Sequence, residues 1–282
     1  MKCATTTLHE QLARQPGLYL SRPKEPNFFS DDAVWAQGFG WYASLFRDAP
    51  PGALCGESST HYTKRPTFPH VVRRMAAALP HVKLVYVMRH PLERLVSHYV
   101  HEQTVGRLDE GVDVDEALEA CPELVDYGRY AYQLEPYIEA FGAVRVLPVF
   151  FDRLVRHSQE EFERIGRFLG MADRPVWDHT MAPQNAGRER LRPSVVREAL
   201  VTAPLLTPLR QRLIPRRLTA PLKALWRAHP APVTLPPATV ARLRGIFDAD
   251  LARLGEWMGV RLDCETFHAV TGSRPLEWVT RR

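Results

Sequence analysis

The amino-acid sequence predicts an α/β fold in which a parallel β-sheet is covered by helices on both faces. Short apolar runs rich in β-branched residues alternate with helix-length amphipathic segments up to about residue 170. Such alternation is typical of a parallel sheet in a three-layer arrangement. Beyond residue 173 the alternation stops, and the remaining segments have helical or loop-like patterns. We therefore expect one α/β domain with a helical C-terminal cap.

Each element is predicted from the spacing of its apolar residues and from the residue types at its ends. Pro91 suits the first turn of a helix, and Gly170 suits a C-cap. Residues 173–193, rich in Arg, Pro and Asn, are a predicted loop, and prolines interrupt the helices expected within 194–233. In chain order, the other expected elements are a helix over 5–15, strands over 17–20 and 53–56, a helix over 68–79, a central strand over 82–88 (VKLVYVM), helices over 91–105 and 125–141, a strand over 144–150, and helices over 158–169 and 238–258.

The composition fits a single globular domain of 282 residues, and its last part, 191–282, has helical patterns. No segment reaches the ~18 consecutive apolar residues that span a membrane, and MKCATTTLHEQ does not resemble a signal peptide. The four cysteines form no CxxC pair, which favours a reducing compartment and no structural zinc. We expect a cytoplasmic protein that does not require membrane association.

The first candidate site lies at the start of the predicted helix 5–15. Backbone N–H groups at a helix start, together with the helix dipole, can cradle a phosphate, and a lysine adds a point charge. The Walker pattern GxxxxGK[ST] is absent. The alternative is an ordinary threonine-capped helix that follows a lysine. The segment consists of a lysine, two small residues and three hydroxyl residues: Lys2, Cys3, Ala4, Thr5, Thr6 and Thr7.

The second candidate site begins at Arg89, directly after the predicted strand 82–88. Open α/β sheets bind ligands at the carboxyl ends of their strands. On the following helix, Arg94, Ser97 and His101 are spaced i, i+3 and i+7 and share one face. Arg89 and Ser97 can therefore hold a phosphate from two sides. The alternative is a solvated helix face with surface charges.

The third candidate site is Lys24 and Glu25, which stand between Pro23 and Pro26. The prolines favour an extended, stiff backbone. A carboxylate held in this way near a lysine can act as a general base. The alternative is an exposed loop charge.

Together these segments resemble the sulfotransferases that use 3′-phosphoadenosine 5′-phosphosulfate (PAPS). Residues 2–7 resemble the 5′-phosphosulfate loop K-x-G-T-T, with Ala4 in place of the glycine. Arg89 and Ser97, with Arg94 and Tyr99, match the 3′-phosphate motif R-x-P-x-x-R-x-x-S-x-Y. The segments GESSTHY (56–62) and YGRYAYQL (127–134) are similar to the family's GEKSPxY and GxYxxxL segments. KEPNFF (24–29) closely resembles the segment that carries the catalytic glutamate in heparan-sulfate-type sulfotransferases.

The resemblance covers roughly residues 1–190 and implies a P-loop NTPase-like fold, with this region as the cofactor-binding core. It implies in-line transfer of a sulfuryl group, in which catalysis is mostly positioning and charge stabilisation. Glu25 would take the proton from the acceptor, beside Lys24 in the acceptor site. Lys2 would stabilise the bridging oxygen as 3′-phosphoadenosine 5′-phosphate leaves. His101 would be a further catalytic group and a possible second base.

The same resemblance assigns residues to the sulfuryl donor PAPS, and no metal is required. Lys2, Cys3 and the amides and hydroxyls of residues 4–7 would hold the 5′-phosphosulfate. Arg89 and Ser97 would hold the 3′-phosphate. Arg188, in the segment NAGRER (185–190), would belong to a late cofactor-binding loop.

Two departures from the family pattern lead to expectations of their own. The family carries a buried strand just before the phosphosulfate loop, whereas Lys2 here follows Met1 directly. We expect that the true start lies upstream or that the chain is shortened, and that the 282-residue form is less stable and binds PAPS less tightly than an extended form. Ala4, in place of the glycine, tolerates a cradle only if its φ is negative, because side chains disfavour positive values.

Other functions remain open at this point. A nucleotide kinase would share the fold and the phosphate cradle but would demand Mg²⁺. An inactive nucleotide-binding or scaffold protein is a second alternative. The net charge of +5 favours anionic ligands. The Arg-rich stretch 188–217 is interpreted as a solvated face or as a site for an anionic acceptor or a membrane surface, and not as a nucleic-acid interface. The acceptor is expected to be a small molecule or a glycan with a hydroxyl or an amine.

Overall fold

The computed structural model describes residues 2–109, 111–181, 190–191, 227–228 and 233–279. The strands in these ranges are β1 (Leu18–Leu20), β2 (Leu54–Gly56), β3 (Leu84–Met88), β4 (Val146–Phe150), β5 (Arg190–Leu191) and β6 (Arg227–Ala228). The α-helices are α1 (Thr5–Leu12), α2 (Asp32–Trp35), α3 (Gly38–Ser44), α4 (Val71–Ala78), α5 (Pro91–Thr104), α6 (Val114–Ala120), α7 (Glu123–Asp126), α8 (Tyr130–Phe141), α9 (Phe151–Arg156), α10 (Ser158–Leu169), α11 (Pro237–Met258) and α12 (Phe267–Ser273). Short 3-10 helices span Thr60–Thr63 and Ala143–Arg145.

The strands pair in parallel, as the alternation of strands and helices predicts. β1 pairs with β2, with Tyr19 opposite Cys55, and β3 pairs with β4, with Tyr86 opposite Pro148. β5 and β6 form a short antiparallel pair. In the described residues these are three separate two-stranded sheets.

The β3–β4 pair is packed on both faces. Successive side chains of a strand point to opposite faces. Accordingly, Met88 and Phe150 join the larger core, which includes residues of α5, α8 and α11, whereas Val87 and Val149 join a smaller core with α1 and α10. The two cores lie on opposite faces of this pair.

A cavity of about 930 Å³ lies between the two parallel pairs. Its apolar lining comes from α1, α3 and from both strand pairs, and includes Leu8, Leu20, Tyr42, Cys55, Val85 and Val87. Cys55 is exposed and Leu54 keeps 37% of its surface accessible, which is unusual for apolar strand residues in an α/β core. Among the residues that the structure describes, the edge of β2 is therefore only partly covered on the cavity side.

The predicted helix 125–141 is wrong in one respect, because it is two helices, α7 and α8, with a break at Gly128. A side chain at this position would place its Cβ 3.0 Å from the Phe247 ring and 3.2 Å from Arg94. A side chain at this position would therefore require its neighbours to shift by a few tenths of an ångström, so a glycine suits the close packing of α11. The helices α2, α3, α6, α9 and α12 were not among the predicted elements.

The C-terminal helices pack onto the core. The Asp250 carboxylate on α11 accepts hydrogen bonds from the backbone N–H groups of Ala131 (2.8 Å) and Tyr132 (3.0 Å), and so caps the start of α8. α12 packs on α9. In the part of the chain that the structure describes, no helix has the length and apolar character needed to cross a membrane.

Candidate active site

The loop before α1 has an unusual backbone. Lys2 has a φ of 63°, and Ala4, the N-cap of α1, has a φ of 58° and a ψ of 22°. The condition that Ala4 sets for a cradle, a negative φ, is therefore not met. Left-handed residues can also direct successive N–H groups toward one side, as in concave anion sites. The cradle predicted at residues 2–7 would then rest on this backbone geometry and not on a glycine.

Replacing Ala4 with glycine is expected to stabilise the fold by about 0.5–1 kcal/mol, because a left-handed conformation costs an L-residue about 1–2 kcal/mol and glycine loses part of that gain in the unfolded chain. Ala76→Gly, in the interior of α4, is the matched control and is expected to destabilise by about 0.8–1 kcal/mol. Urea denaturation measures both variants. Equal destabilisation by the two substitutions would contradict the left-handed conformation of Ala4.

The Glu25 carboxylate is held by a partner on each oxygen. Lys24 Nζ donates to Oε1 at 2.8 Å, and Thr60 Oγ1 donates to Oε2 at 2.9 Å. Burial opposes ionisation, but the hydrogen bonds and charge of Lys24 and the hydrogen bonds of Thr60 outweigh it and hold the pKa of Glu25 below its ordinary value. Glu25 is therefore an oriented carboxylate at neutral pH.

The segment 56–62 supports the turn that carries Glu25. Tyr62 Oη and Ser59 Oγ donate to the Glu57 carboxylate at 2.5 and 2.7 Å, and Ser59 Oγ accepts from the backbone N–H of Asn27 at 3.0 Å. Burial raises the pKa of Glu57 although both hydrogen bonds oppose the rise. Glu57 thus joins the two segments through Ser59.

His9 on α1 contacts the same segment and was missed by the sequence analysis. Its Nδ1 lies 2.9 Å from Ser58 Oγ. Burial, assisted by the charge of Lys24, holds the pKa of His9 below its ordinary value. His9 follows Thr5 by four positions, so it shares a helix face with the cradle, and this spacing is the signal that could have revealed it.

The cavity between the strand pairs is lined by residues of the first candidate site and by a hydrogen-bond partner of Glu25, whereas Lys24 and Glu25 themselves lie outside its lining. Thr5 and His9 line it from α1, and Ser58 and Thr60 line it from the segment that holds Glu25. A ligand anion at the start of α1 would therefore lie on the same side as the Glu25 turn.

Arg89 follows β3 directly, as predicted. Its backbone N–H contacts Tyr130 Oη at 3.1 Å, and the same hydroxyl donates to the Arg89 carbonyl. Its side chain donates to Glu93 Oε2 through Nε at 3.0 Å and Nη2 at 2.9 Å, and lies 5.0 Å from the Phe151 ring. Ser97 lies on α5, two turns beyond. Both residues lie outside the lining of the cavity.

The helix face proposed for Arg94, Ser97 and His101 is not a single ligand face. Arg94 is fully buried and donates to the Leu124 carbonyl, so it joins α5 to α7. Ser97 and His101 are half-buried, and His101 lies in the last turn of α5. Burial lowers the pKa of His98 to about 4, so His98 is neutral beside Glu102 (3.1 Å) at physiological pH.

Arg188 lies outside the described residues. Within the described ranges, no group of three or more His, Cys, Asp or Glu side chains is arranged to hold a metal ion.

Comparison with known proteins gives matches to one class. A family model described as "Sulfotransferase domain" matches residues 6–184. Human "Heparan sulfate glucosamine 3-O-sulfotransferase 6" is 30% identical over 156 residues, which are 52% of this chain and 43% of that protein. The "Bifunctional heparan sulfate N-deacetylase/N-sulfotransferase 1" of Caenorhabditis briggsae is 22% identical over 199 residues, 63% of this chain and 22% of that protein. The chain thus spans less than half the length of these relatives.

A solved structure extends the likeness to the whole fold. The sulfotransferase from Alicyclobacillus acidocaldarius superimposes with a TM-score of 0.63 at 22% identity, and 93% of each chain is covered. The region matched by the family model takes up more than half of the sequence and includes the segments of Glu25 and Arg89. The chain therefore belongs to the sulfotransferase domain family.

Proposed function

We propose that this protein transfers a sulfuryl group from PAPS to a hydroxyl or an amine of an acceptor. The observation that carries the proposal is the Glu25 carboxylate, which is kept ionised by Lys24 and Thr60. Thr60 lines the cavity that the start of α1 also lines. A base and an anion cradle on one side of the sheet are the two parts that such a transfer needs. Membership of the sulfotransferase family supports the assignment.

The residues at both ends of the proposed site suit a nucleotide with two anionic groups. Lys2 and the backbone of residues 3–7 would hold the 5′-phosphosulfate, because left-handed Lys2 and Ala4 shape an anion site at the start of α1. Arg89 and Ser97 would hold the 3′-phosphate. When bound, PAPS supplies the sulfuryl group and the leaving phosphate. Arg188 remains a proposed ligand of the same nucleotide.

In this proposal, the side chains do three jobs. Glu25 accepts the proton of the acceptor group, and Lys24 holds the carboxylate in its orientation and borders the acceptor site. Lys2 stabilises negative charge on the leaving oxygen, which is the kind of preorganised electrostatic contribution that usually dominates such transfers. His101 is proposed as a second base.

We propose a glycan or a glycolipid as the acceptor. KEPNFF carries Glu25, and the relatives named above are described as heparan sulfate sulfotransferases. The experiment that tests the function follows release of 3′-phosphoadenosine 5′-phosphate from PAPS with N-deacetylated heparosan, chitooligosaccharides and a phenol as acceptors, with and without EDTA. Acceptor-dependent release that EDTA does not change supports the proposal. Phosphate transfer that requires Mg²⁺ would favour a nucleotide kinase, and absence of turnover with tight nucleotide binding would favour an inactive binding protein.

The pH dependence of the transfer is expected to depend on Lys24. Its hydrogen bond and charge lower the pKa of Glu25, and burial raises it. Lys24→Met removes the hydrogen bond and the positive charge that offset the effect of burial, so the pKa of Glu25 is expected to rise. The acidic limb of the pH profile of kcat/KM then moves to higher pH. At high pH, where Glu25 is ionised in both forms, the difference shrinks. The pH–rate profile measures the shift, with Lys83→Met as a control that leaves the limb in place. An unmoved limb in Lys24→Met would show that Glu25 is not the titrating base.

We also propose that the cavity between the two parallel pairs takes a further parallel strand. Its apolar lining by β1, β2 and β3 and the exposed Leu54 and Cys55 support this proposal. A strand there would join the pairs into one sheet and would lead directly into Lys2.

A further inference from the structure

The side chain of Arg89 begins a chain of contacts that ends in the C-terminal helix α12. Glu93 Oε2 accepts from Arg89, and the other oxygen, Oε1, lies 3.1 Å from His268 Nε2. The second ring nitrogen, Nδ1, lies 3.0 Å from both oxygens of Asp152. Four elements therefore meet in one line: the end of β3, α5, α12 and α9.

Both ends of this line are fixed. Tyr130 Oη holds the backbone of Arg89 on both its N–H and its carbonyl. At the other end, Asp152 is nearly buried and also accepts from Thr271 Oγ1 at 3.3 Å. The ring of His268 stacks on His90 at 4.8 Å between centroids. These contacts therefore restrict the orientation of the His268 ring relative to Glu93.

Each ring nitrogen of His268 faces a carboxylate: Nε2 faces Glu93, and Nδ1 faces Asp152. A ring N–H can donate to a carboxylate oxygen. An isolated pair at the surface contributes little, but Glu93 is held here from two sides. Without His268, its negative charge would face the Arg89 guanidinium with no second partner, and would repel a phosphate brought to that arginine.

We infer that His268 is a positioning residue that orients Arg89 through Glu93 for the nucleotide 3′-phosphate. The inference rests on the proposed function, since it assumes that Arg89 binds this group. Two of the five N–H donors of Arg89 are committed to Glu93, so the direction of the others follows from where Glu93 is held. His268 lies 84 positions beyond the end of the region that the family model matches. The helical C-terminal part would thus complete a site that is built mainly from the core.

The test compares two nucleotides that differ only in the 3′-phosphate: 3′-phosphoadenosine 5′-phosphate and adenosine 5′-phosphate. Calorimetry on His268→Ala is expected to show about a 5- to 50-fold loss of affinity for the first nucleotide, in line with the coupling of contacting charged groups. Affinity for the second is expected to stay unchanged. His179→Gln, an exposed histidine outside this network, is the matched control.

A double-mutant cycle then separates positioning from mere packing. In the Glu93→Ala background, His268→Ala is expected to cause no further loss, because its effect passes through Glu93. The inference is overturned if His268→Ala costs the same in both backgrounds, if it weakens the two nucleotides equally, or if it changes neither. A wild-type protein that does not distinguish the two nucleotides, or an Arg89→Ala variant that keeps the distinction, would instead overturn the proposed function, and this inference with it.

Discussion

Glu25→Gln is expected to lower kcat for sulfuryl transfer by about 10²- to 10⁴-fold, the range that positioned general bases contribute. Glutamine keeps the shape of the side chain and an oxygen that accepts from Lys24 or Thr60, so the turn is retained. It cannot take a proton from the acceptor. Affinity for 3′-phosphoadenosine 5′-phosphate should therefore change little. Initial rates at saturating PAPS, together with calorimetry, measure the two quantities separately.

Glu139→Gln is the matched control for this substitution, because Glu139 is an exposed residue of α8. It should retain the wild-type rate. If Glu25→Gln also stays within about threefold of the wild type, far below the loss expected of a general base, Glu25 is not the base. His101→Gln would then be the next variant to measure, because His101 is the second proposed base.

A strand added before Lys2 is expected to raise the melting temperature by at least about 5 °C. Each Val, Leu or Ile side chain that becomes fully buried contributes about 1.5–3 kcal/mol, and 1 kcal/mol shifts the melting temperature of a domain of this size by about 2–4 °C. The cavity of about 930 Å³ offers apolar walls on several sides. The strand would also fix the loop 2–7 from its N-terminal side, so nucleotide affinity should rise as well.

The control for the added strand is a Gly/Ser segment of the same length before Lys2. It cannot bury apolar side chains and should leave both the melting temperature and the affinity unchanged. Equal values for all three forms would show that the cavity does not accept a strand, and would leave the separation of the β1–β2 and β3–β4 pairs as a feature of the mature fold.

The parts of the fold that sequence analysis predicts well are those with a local signal. VKLVYVM followed by Arg89 and Pro91 predicts a strand, a turn and a helix, and β3 and α5 have that order. Gly170 has a φ of 86° and is the C-cap of α10, as predicted from the preference for glycine at this position. The close approach of Phe247 to Gly128 has no such signal, because Phe247 lies on α11, more than 100 positions away.

In the candidate site too, features that depend on neighbouring residues can be predicted from the sequence, and those that depend on distant residues cannot. The adjacency of Lys24 and Glu25 can be read from the sequence, whereas the hydrogen bond from Thr60 cannot, since it joins positions 35 apart. The left-handed Ala4 contradicts a residue-type rule, because the surrounding turn overrides the preference of alanine. His268 lies 175 positions from Glu93, and only the fold brings them together.

We propose above that this chain binds a nucleotide through its 3′-phosphate at Arg89. Calorimetric titration with 3′-phosphoadenosine 5′-phosphate and with adenosine 5′-phosphate tests this on the wild type, Arg89→Ala and the exposed control Arg47→Ala. We expect the wild type and the control to prefer the first nucleotide, and Arg89→Ala to lose about 10- to 100-fold of that affinity, as charged hydrogen bonds of this kind contribute. Equal affinity of the folded wild-type protein for both nucleotides would contradict it.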